Sequence, residues 1–90
     1  TDIVEVKAYQ DNNKITFRII KSYKSSGNEL NNYLNNDVID ISVDKSAIVF
    51  INTDSKNAPL LDVFVWEPDI NSFVNPNGDL ITDEILNNLN

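Results

Sequence analysis

Apolar and polar positions alternate in two neighbouring segments near the start of the chain, residues 3–10 and 14–21. A period of two turns every second side chain toward the same face of a β-strand. The polar run 11–13 between the segments is rich in Asp and Asn, which favour tight turns. The pattern therefore predicts an antiparallel β-hairpin with one buried face. Its expected buried residues are Val4, Val6, Phe17 and Ile19.

Three further strands are predicted in the middle of the chain. Residues 39–43 alternate again, and a short polar turn separates them from the continuous apolar run 47–51. A continuous apolar run is typical of a strand that is covered on both faces. The short turn predicts that residues 39–43 pair with residues 47–51. Residues 60–66 are rich in strand-forming Val, and Pro68 should end that strand because it has no N–H to donate. The expected buried residues are Ile41, Ile48, Phe50, Val63 and Val65.

Two short helices complete the predicted order β-β-α-β-β-β-α. Apolar residues recur at helical spacing within residues 30–34, after the break at residues 25–27. Near the end of the chain, Thr82 is a suitable N-cap, and two acidic residues follow it at the positive end of the helix dipole. We expect a β-rich α+β fold in one small domain, residues 1–90, with an antiparallel sheet or small sandwich and a short C-terminal helix.

The charge of the chain narrows the classes of partner. The formal net charge is −7 and the isoelectric point is about 4.2. Binding to a nucleic-acid backbone or to an anionic membrane needs clustered Lys and Arg, so we expect neither. No apolar run reaches the length of a membrane helix. We expect a chain that does not span a membrane and that lies in the cytoplasm or within a larger complex such as a virion.

The residues needed for common enzymatic chemistry are missing. The chain has no Cys, no His and two Gly, which argues against a thiolate nucleophile, a histidine base and a glycine-rich phosphate loop. The 14 acidic residues provide carboxylate pairs through abundance alone. We therefore expect a protein that is not an enzyme and that uses no cofactor.

Residues 73–84 resemble the twelve-residue calcium loop of EF-hand proteins and of cellulosomal dockerin modules. The alignment puts Gly78 at the sixth position and Glu84 at the closing position. Phe73 and Ile81, however, occupy the first and ninth positions, and neither side chain carries an oxygen ligand. A turn around the glycine followed by a helix start explains the same residues. We therefore expect no metal site here.

The connection after the predicted strand 60–66 is long for so small a chain, and it carries several apolar residues. Long loops in compact domains are often functional, and aromatic residues are enriched at binding hot spots. The alternative is that this segment folds back as a lid over its own core. The predicted protein-binding residues are Trp66, Glu67, Asp69, Ile70, Phe73 and Val74.

These observations favour a non-enzymatic protein–protein interaction or assembly module, such as a small accessory or structural subunit of a phage particle. Its partner would be another protein or further copies of itself. A second reading is an acidic inhibitor or immunity protein that covers a basic nuclease or nucleic-acid-binding site. That reading requires carboxylates massed on one face. A third reading is an extracellular module that uses the calcium-loop-like segment.

Overall fold

The computed structural model describes residues 2–24, 39–52 and 60–89. These residues form a small, sheet-dominated domain with one open antiparallel sheet of six strands and very little helix. The elements are β1 (Asp2–Asp11), β2 (Lys14–Lys24), β3 (Ser46–Asn52), β4 (Leu60–Glu67), β5 (Ser72–Val74), β6 (Leu80–Ile81) and α1 (Asp83–Asn87). The order across the sheet is β2-β1-β3-β4-β5-β6. The predicted helix at residues 30–34 lies outside the described residues.

The N-terminal hairpin has the predicted pairing. Asp11 lies opposite Lys14, so the two residues between them make the turn. The first of these, Asn12, has a φ of 55°, a left-handed conformation that Asn tolerates and that two-residue hairpin turns favour. Two register shifts follow further along the ladder. They leave Ile20 and Tyr23 as extra residues on β2, and such bulges bend and twist a strand.

The predicted pairing of residues 39–43 with residues 47–51 is wrong. β3 pairs with β1 along one edge and with β4 along the other, so neither edge is left for another strand. Residues 39–43 form no strand. Their alternation reflects which side chains turn inward: Ile39 and Ile41 are buried, whereas Asp40 is exposed.

A backbone connection to β1 holds the segment that precedes β3. The Asp44 N–H donates to the Ala8 carbonyl at 2.9 Å, and the Ala8 N–H donates to the Lys45 carbonyl at 3.0 Å. Asp44 has a φ of 69°, which belongs to the left-handed region that Asp and Asn visit more readily than most residues. The predicted turn therefore exists, but its backbone bonds to β1, and it does not pair residues 39–43 with β3.

Two apolar clusters lie on opposite faces of the sheet. On what we call the first face, Ile39 and Ile41 pack over side chains of β1 and β3. The buried strand residues of this cluster are Val4, Val6, Ala8, Ala47, Val49 and Ile51. On the second face, Leu86 of α1 packs over the sheet. The buried strand residues there are Ile3, Ile48, Phe73 and Ile81. β3 is thus covered on both sides, as its continuous apolar sequence predicts.

The expected core is correct in part. Val4, Val6, Ile41 and Ile48 are buried. The remaining expected core residues, Phe17, Ile19, Phe50, Val63 and Val65, are only partly buried. Phe17 and Ile19 belong to β2, which is the outermost strand at one end of the described sheet, so their side chains have strand neighbours on one side only.

The segment expected to be a long connection, residues 67–78, contains the strand β5, and the further strand β6 follows it. Glu67 pairs with Ser72, and the turn between them places Asn71 at a φ of 52°. β4 ends at Glu67, directly before Pro68, as expected. After β6, the Thr82 hydroxyl accepts a hydrogen bond from the Ile85 N–H at 3.3 Å and caps the five-residue α1. The residues that flank this cap, Ile81 and Leu86, share the second-face cluster.

Candidate functional site

The predicted binding residues are divided between the two faces of the sheet. Trp66 lies opposite Phe73, and Val65 lies opposite Val74, across the β4–β5 pair. Adjacent residues of a strand point to opposite faces. Trp66 and Phe73 therefore turn to the second face, whereas Val74 turns to the first. Asp69 is exposed in the turn between β4 and β5.

A groove of about 830 Å³ runs over the first face beside β4. Three of the predicted binding residues, Glu67, Ile70 and Val74, line it. Its other apolar lining residues are Leu61, Val63 and Val65 of β4. The turn after β5 supplies a wall through Asn75, Pro76 and Asn77. Apolar residues of β4, of β5 and of the turn that follows each strand thus line one groove.

Ile70 and Leu80 extend the apolar surface of this groove into solvent. Ile70 is 52 % exposed and Leu80 is 54 % exposed. The Ile70 N–H donates to the Glu67 carbonyl at 3.3 Å, so the turn positions the backbone that carries this side chain. Leu80 is the cross-strand neighbour of Val74 and faces the same side. Two half-exposed aliphatic side chains therefore border the groove.

A smaller cavity of about 260 Å³ lies on the second face. Its described lining is Glu5, Ser46, Trp66, Phe73 and Asp83. The rings of Trp66 and Phe73 meet edge to face, with 4.8 Å between their centroids. Phe73 is only 3 % exposed and belongs to the core, so it has almost no surface to offer a partner directly. For this one residue the structure favours the core alternative.

The carboxyl group of Glu5 occupies an unusual electrostatic environment beside this cavity. Burial raises the pKa of Glu5 above its ordinary value of 4.5, and the Asp83 carboxylate raises it further. A hydrogen bond from the Tyr23 hydroxyl, at 3.4 Å from Oε1, and the Lys21 ammonium group act in the opposite direction. The pKa of Tyr23 is also raised, mainly by burial and then by the Glu5 charge. The Glu5 carboxyl group thus interacts with the Tyr23 hydroxyl of β2 and with the Asp83 charge of α1.

The calcium-loop-like segment forms a self-contained turn between β5 and β6. Asn75 Oδ1 accepts hydrogen bonds from the N–H groups of Asn77, at 3.1 Å, and Asp79, at 2.8 Å. Asn75 Nδ2 donates to Asp79 Oδ2 at 3.1 Å. The expected turn also closes through the backbone, since the Gly78 N–H donates to the Asn75 carbonyl at 3.0 Å. Side-chain oxygens that an EF-hand would direct at the ion are used within the turn.

Carboxylates are present on both sides of the described sheet. Asp40 and Glu67 line the first-face groove, whereas Asp83 lines the cavity on the second face. Asp62 lies opposite Phe50 of the second-face cluster, so its side chain turns to the second face as well. Five of the seven basic residues belong to β1 and β2 instead: Lys7, Lys14, Arg18, Lys21 and Lys24. Two of these stack on Tyr9, with Arg18 at 4.5 Å and Lys7 at 5.6 Å from the ring centroid. The acidic excess therefore lies away from the N-terminal hairpin.

Sequence reasoning did not find the second-face cavity. In the sequence, Glu5 occupies a polar position of an alternating strand. Asp83 lies in the first turn of a helix, where an acidic residue stabilises the helix dipole. Each local interpretation is adequate by itself. Only the tertiary fold places both carboxyl groups at one cavity, and no spacing in the sequence signals this arrangement.

Comparisons with known proteins add no family assignment. No protein-family model matches the chain, and no match was found among curated proteins or among solved structures. Within residues 2–24, 39–52 and 60–89, no three acidic side chains are grouped so that they could hold a metal ion. None of the helices in the described part of the chain is long and apolar enough to cross a membrane.

Proposed function

We propose that this protein is a non-enzymatic protein–protein interaction module that holds its partner in the first-face groove. The observation that carries the proposal is the continuity of the groove with two half-exposed aliphatic side chains, Ile70 and Leu80. Isolated exposed apolar residues are common on protein surfaces, but contiguous ones that border a concave surface are typical of binding sites. An apolar segment of the partner fills the groove.

The two exposed side chains supply only part of the binding free energy. Burying a whole aliphatic side chain contributes about 1.5–3 kcal/mol. Because Ile70 and Leu80 are already about half buried, each adds roughly 1 kcal/mol when a partner covers it. Association costs several kcal/mol in lost freedom. The interface must therefore include the groove floor and the surrounding carboxylates.

The acidic residues of the groove define the chemistry of the partner. Asp40 and Glu67 border an apolar floor, so a complementary partner carries an apolar segment flanked by Lys or Arg. A small chain without residues for enzymatic chemistry fits an accessory or structural subunit of a larger assembly, such as a phage particle. The partner is then another subunit or a further copy of this chain.

One observation also favours a second candidate, an acidic inhibitor or immunity protein. Asp40 and Glu67 line the same groove, and such proteins use acidic surfaces to cover basic sites. The two candidates differ in the dependence of the association rate on salt. Electrostatic steering onto a strongly basic site makes the association rate of an inhibitor fall steeply with ionic strength, whereas an assembly contact that is mainly apolar with a few flanking Lys or Arg loses less.

The experiment is an affinity capture from the source organism with matched pairs of variants. Ile70→Ser combined with Leu80→Ser removes the apolar border of the groove. Ile20→Ser combined with Ile85→Ser changes two similarly exposed residues, at 48 % and 47 %, outside the groove lining. We expect the groove double variant to lose the captured protein and the control double variant to retain it. Circular dichroism should show that both variants are folded.

Equal capture by the two double variants would remove the groove as the binding site. Self-association is tested on the same proteins by sedimentation velocity. If copies of the chain associate, the groove variant should sediment as the monomer at concentrations where the control variant forms the oligomer.

A further inference from the structure

The cavity on the second face is built from four parts of the chain that are distant in sequence. β1 contributes Glu5, β3 contributes Ser46, α1 contributes Asp83, and the β4–β5 pair contributes the aromatic rings of Trp66 and Phe73. We propose that this cavity is a binding site for one cationic side chain, the guanidinium group of an arginine or the ammonium group of a lysine presented by a partner. This site is separate from the first-face groove and does not depend on it.

The size of the cavity limits what it can hold. Its volume is about 260 Å³, whereas sites for drug-sized ligands span about 300–1,000 Å³. One long side chain fits this space, and a nucleotide or an oligosaccharide does not. Single anchor residues that enter small pockets are a frequent arrangement at protein–protein interfaces, and arginine is among the most common anchors.

The charges at the cavity favour a cation. Glu5 and Asp83 both line the cavity with carboxyl groups, and the Asp83 charge raises the pKa of Glu5. Among the described residues that line the cavity, none is basic. Lys21 acts on Glu5, but its ammonium group lies 4.6 Å from the centroid of the Tyr23 ring and is not among the lining groups. A cation placed between the two carboxylates would relieve their repulsion, and a guanidinium group can donate hydrogen bonds to both.

The aromatic wall separates this cavity from an ordinary pair of surface carboxylates. Phe73 is buried and packs edge to face on Trp66, whereas Trp66 is only partly buried, so the indole ring has surface for a cation and for the methylene groups that carry it. A hard metal ion fits less well because Ca²⁺ requires six or more oxygen ligands. The described lining offers two carboxylates and one hydroxyl. An organic cation with an apolar stem suits both the carboxylates and the aromatic side of the cavity.

Trp66 makes the test direct, because it is the one tryptophan of the chain. Its indole N–H gives a single, assignable signal in a ¹H–¹⁵N spectrum. Nα-acetyl-arginine methylamide and its lysine counterpart are titrated into the protein at neutral pH and low salt. The uncharged probes are Nα-acetyl-norleucine methylamide, which has the apolar stem alone, and methyl β-glucoside.

We expect the indole signal to move saturably with at least one of the two cationic probes and at least tenfold more weakly with norleucine. Glu5→Gln combined with Asp83→Asn should weaken cation binding at least tenfold. Glu5→Gln can still accept the Tyr23 hydrogen bond, so the local structure is preserved. Glu84→Gln, which removes one exposed charge from the same helix, is the matched control and should bind the cation as the wild type does.

Three results would overturn the proposal: equal titration by arginine, lysine and norleucine probes, unchanged binding in the Glu5→Gln and Asp83→Asn variant, or saturable binding of the glucoside alone. The Ile70→Ser and Leu80→Ser variant should bind the cationic probe normally. A failure of the groove proposal is therefore distinguishable from a failure of this one.

Discussion

Replacement of Phe73 by alanine is the sharpest test of how the β4–β5 region is built. Phe73 is 3 % exposed, lies in the second-face cluster and contacts the Trp66 ring. Truncating a buried Phe to Ala costs about 3–5 kcal/mol through lost burial and the cavity that remains. Folded proteins have stabilities of about 0.05–0.15 kcal/mol per residue. For 90 residues this amounts to about 5–13 kcal/mol, so the variant loses a large part of the total.

Urea unfolding followed by far-ultraviolet circular dichroism measures this loss. With an m-value of about 1.5 kcal/mol/M, the midpoint should fall by about 2–3 M. Tryptophan fluorescence is less suitable because the substitution removes a ring in contact with Trp66. Phe73→Leu keeps most of the volume and should cost less than about 1.5 kcal/mol, which preserves a measurable transition if the alanine variant unfolds.

Ile70→Ala is the internal control for Phe73→Ala. Ile70 lies three residues away and is 52 % exposed, so its truncation should change stability by no more than about 0.5 kcal/mol. Equal losses for the two variants, or a loss below about 1 kcal/mol for Phe73→Ala, would refute the assignment of Phe73 to the core. The segment would then be the exposed connection that the sequence alone predicts.

Three further outcomes are expected. Gly78→Ala should destabilise the protein by about 1–2 kcal/mol in urea unfolding, because Gly78 has a φ of 87° that an L side chain disfavours. An added Cβ would meet nothing within 4 Å, so the cost comes from the backbone conformation alone. The control Asn77→Ala, in the same turn, should cost less than about 0.5 kcal/mol. The folded state binds a proton at Glu5 more tightly than the unfolded state, since burial raises its pKa above 4.5. The associated stability is complete below pH 4.5 and is lost as the pH rises through the folded pKa. Between pH 4.5 and the folded pKa of Glu5, the Glu5→Gln variant should therefore lose less thermal stability than the wild type. Identical pH profiles of the two proteins would contradict this. Calorimetry with Ca²⁺ should give no saturable heat because the Asn75 side chain is used within its turn; a micromolar dissociation constant that Glu84→Gln abolishes would show the opposite.

The N-terminal hairpin shows what local pattern determines. The alternation of residues 3–10 and 14–21 and the Asx-rich turn are enough to predict β1, β2 and their antiparallel pairing, though not the two register shifts between them. The prediction succeeds because a two-residue turn leaves little choice of partner or register. The turn at Gly78 was predictable for the same reason, since its conformation depends on neighbouring residues only.

The pairing of β3 shows where local pattern fails. The sequence favours residues 39–43 as its partner because they are close along the chain, yet β3 pairs with β1 and β4. β1 is about forty positions away, and a short separation in sequence does not decide which of several compatible strands occupies an edge. That choice depends on the total apolar surface that each arrangement buries.

Sequence by itself determined the β-rich class, the acidic charge and the alternation that assigns side chains to the two faces of each strand. The tertiary structure alone decided what each face meets. It divided Trp66 and Val74 between opposite sides of the sheet, and it brought Glu5 of β1 beside Asp83 of α1. The periodicity of a strand is set by its own backbone geometry and is visible in the residues. The element that covers a face is set by packing between distant segments, and no local spacing records it.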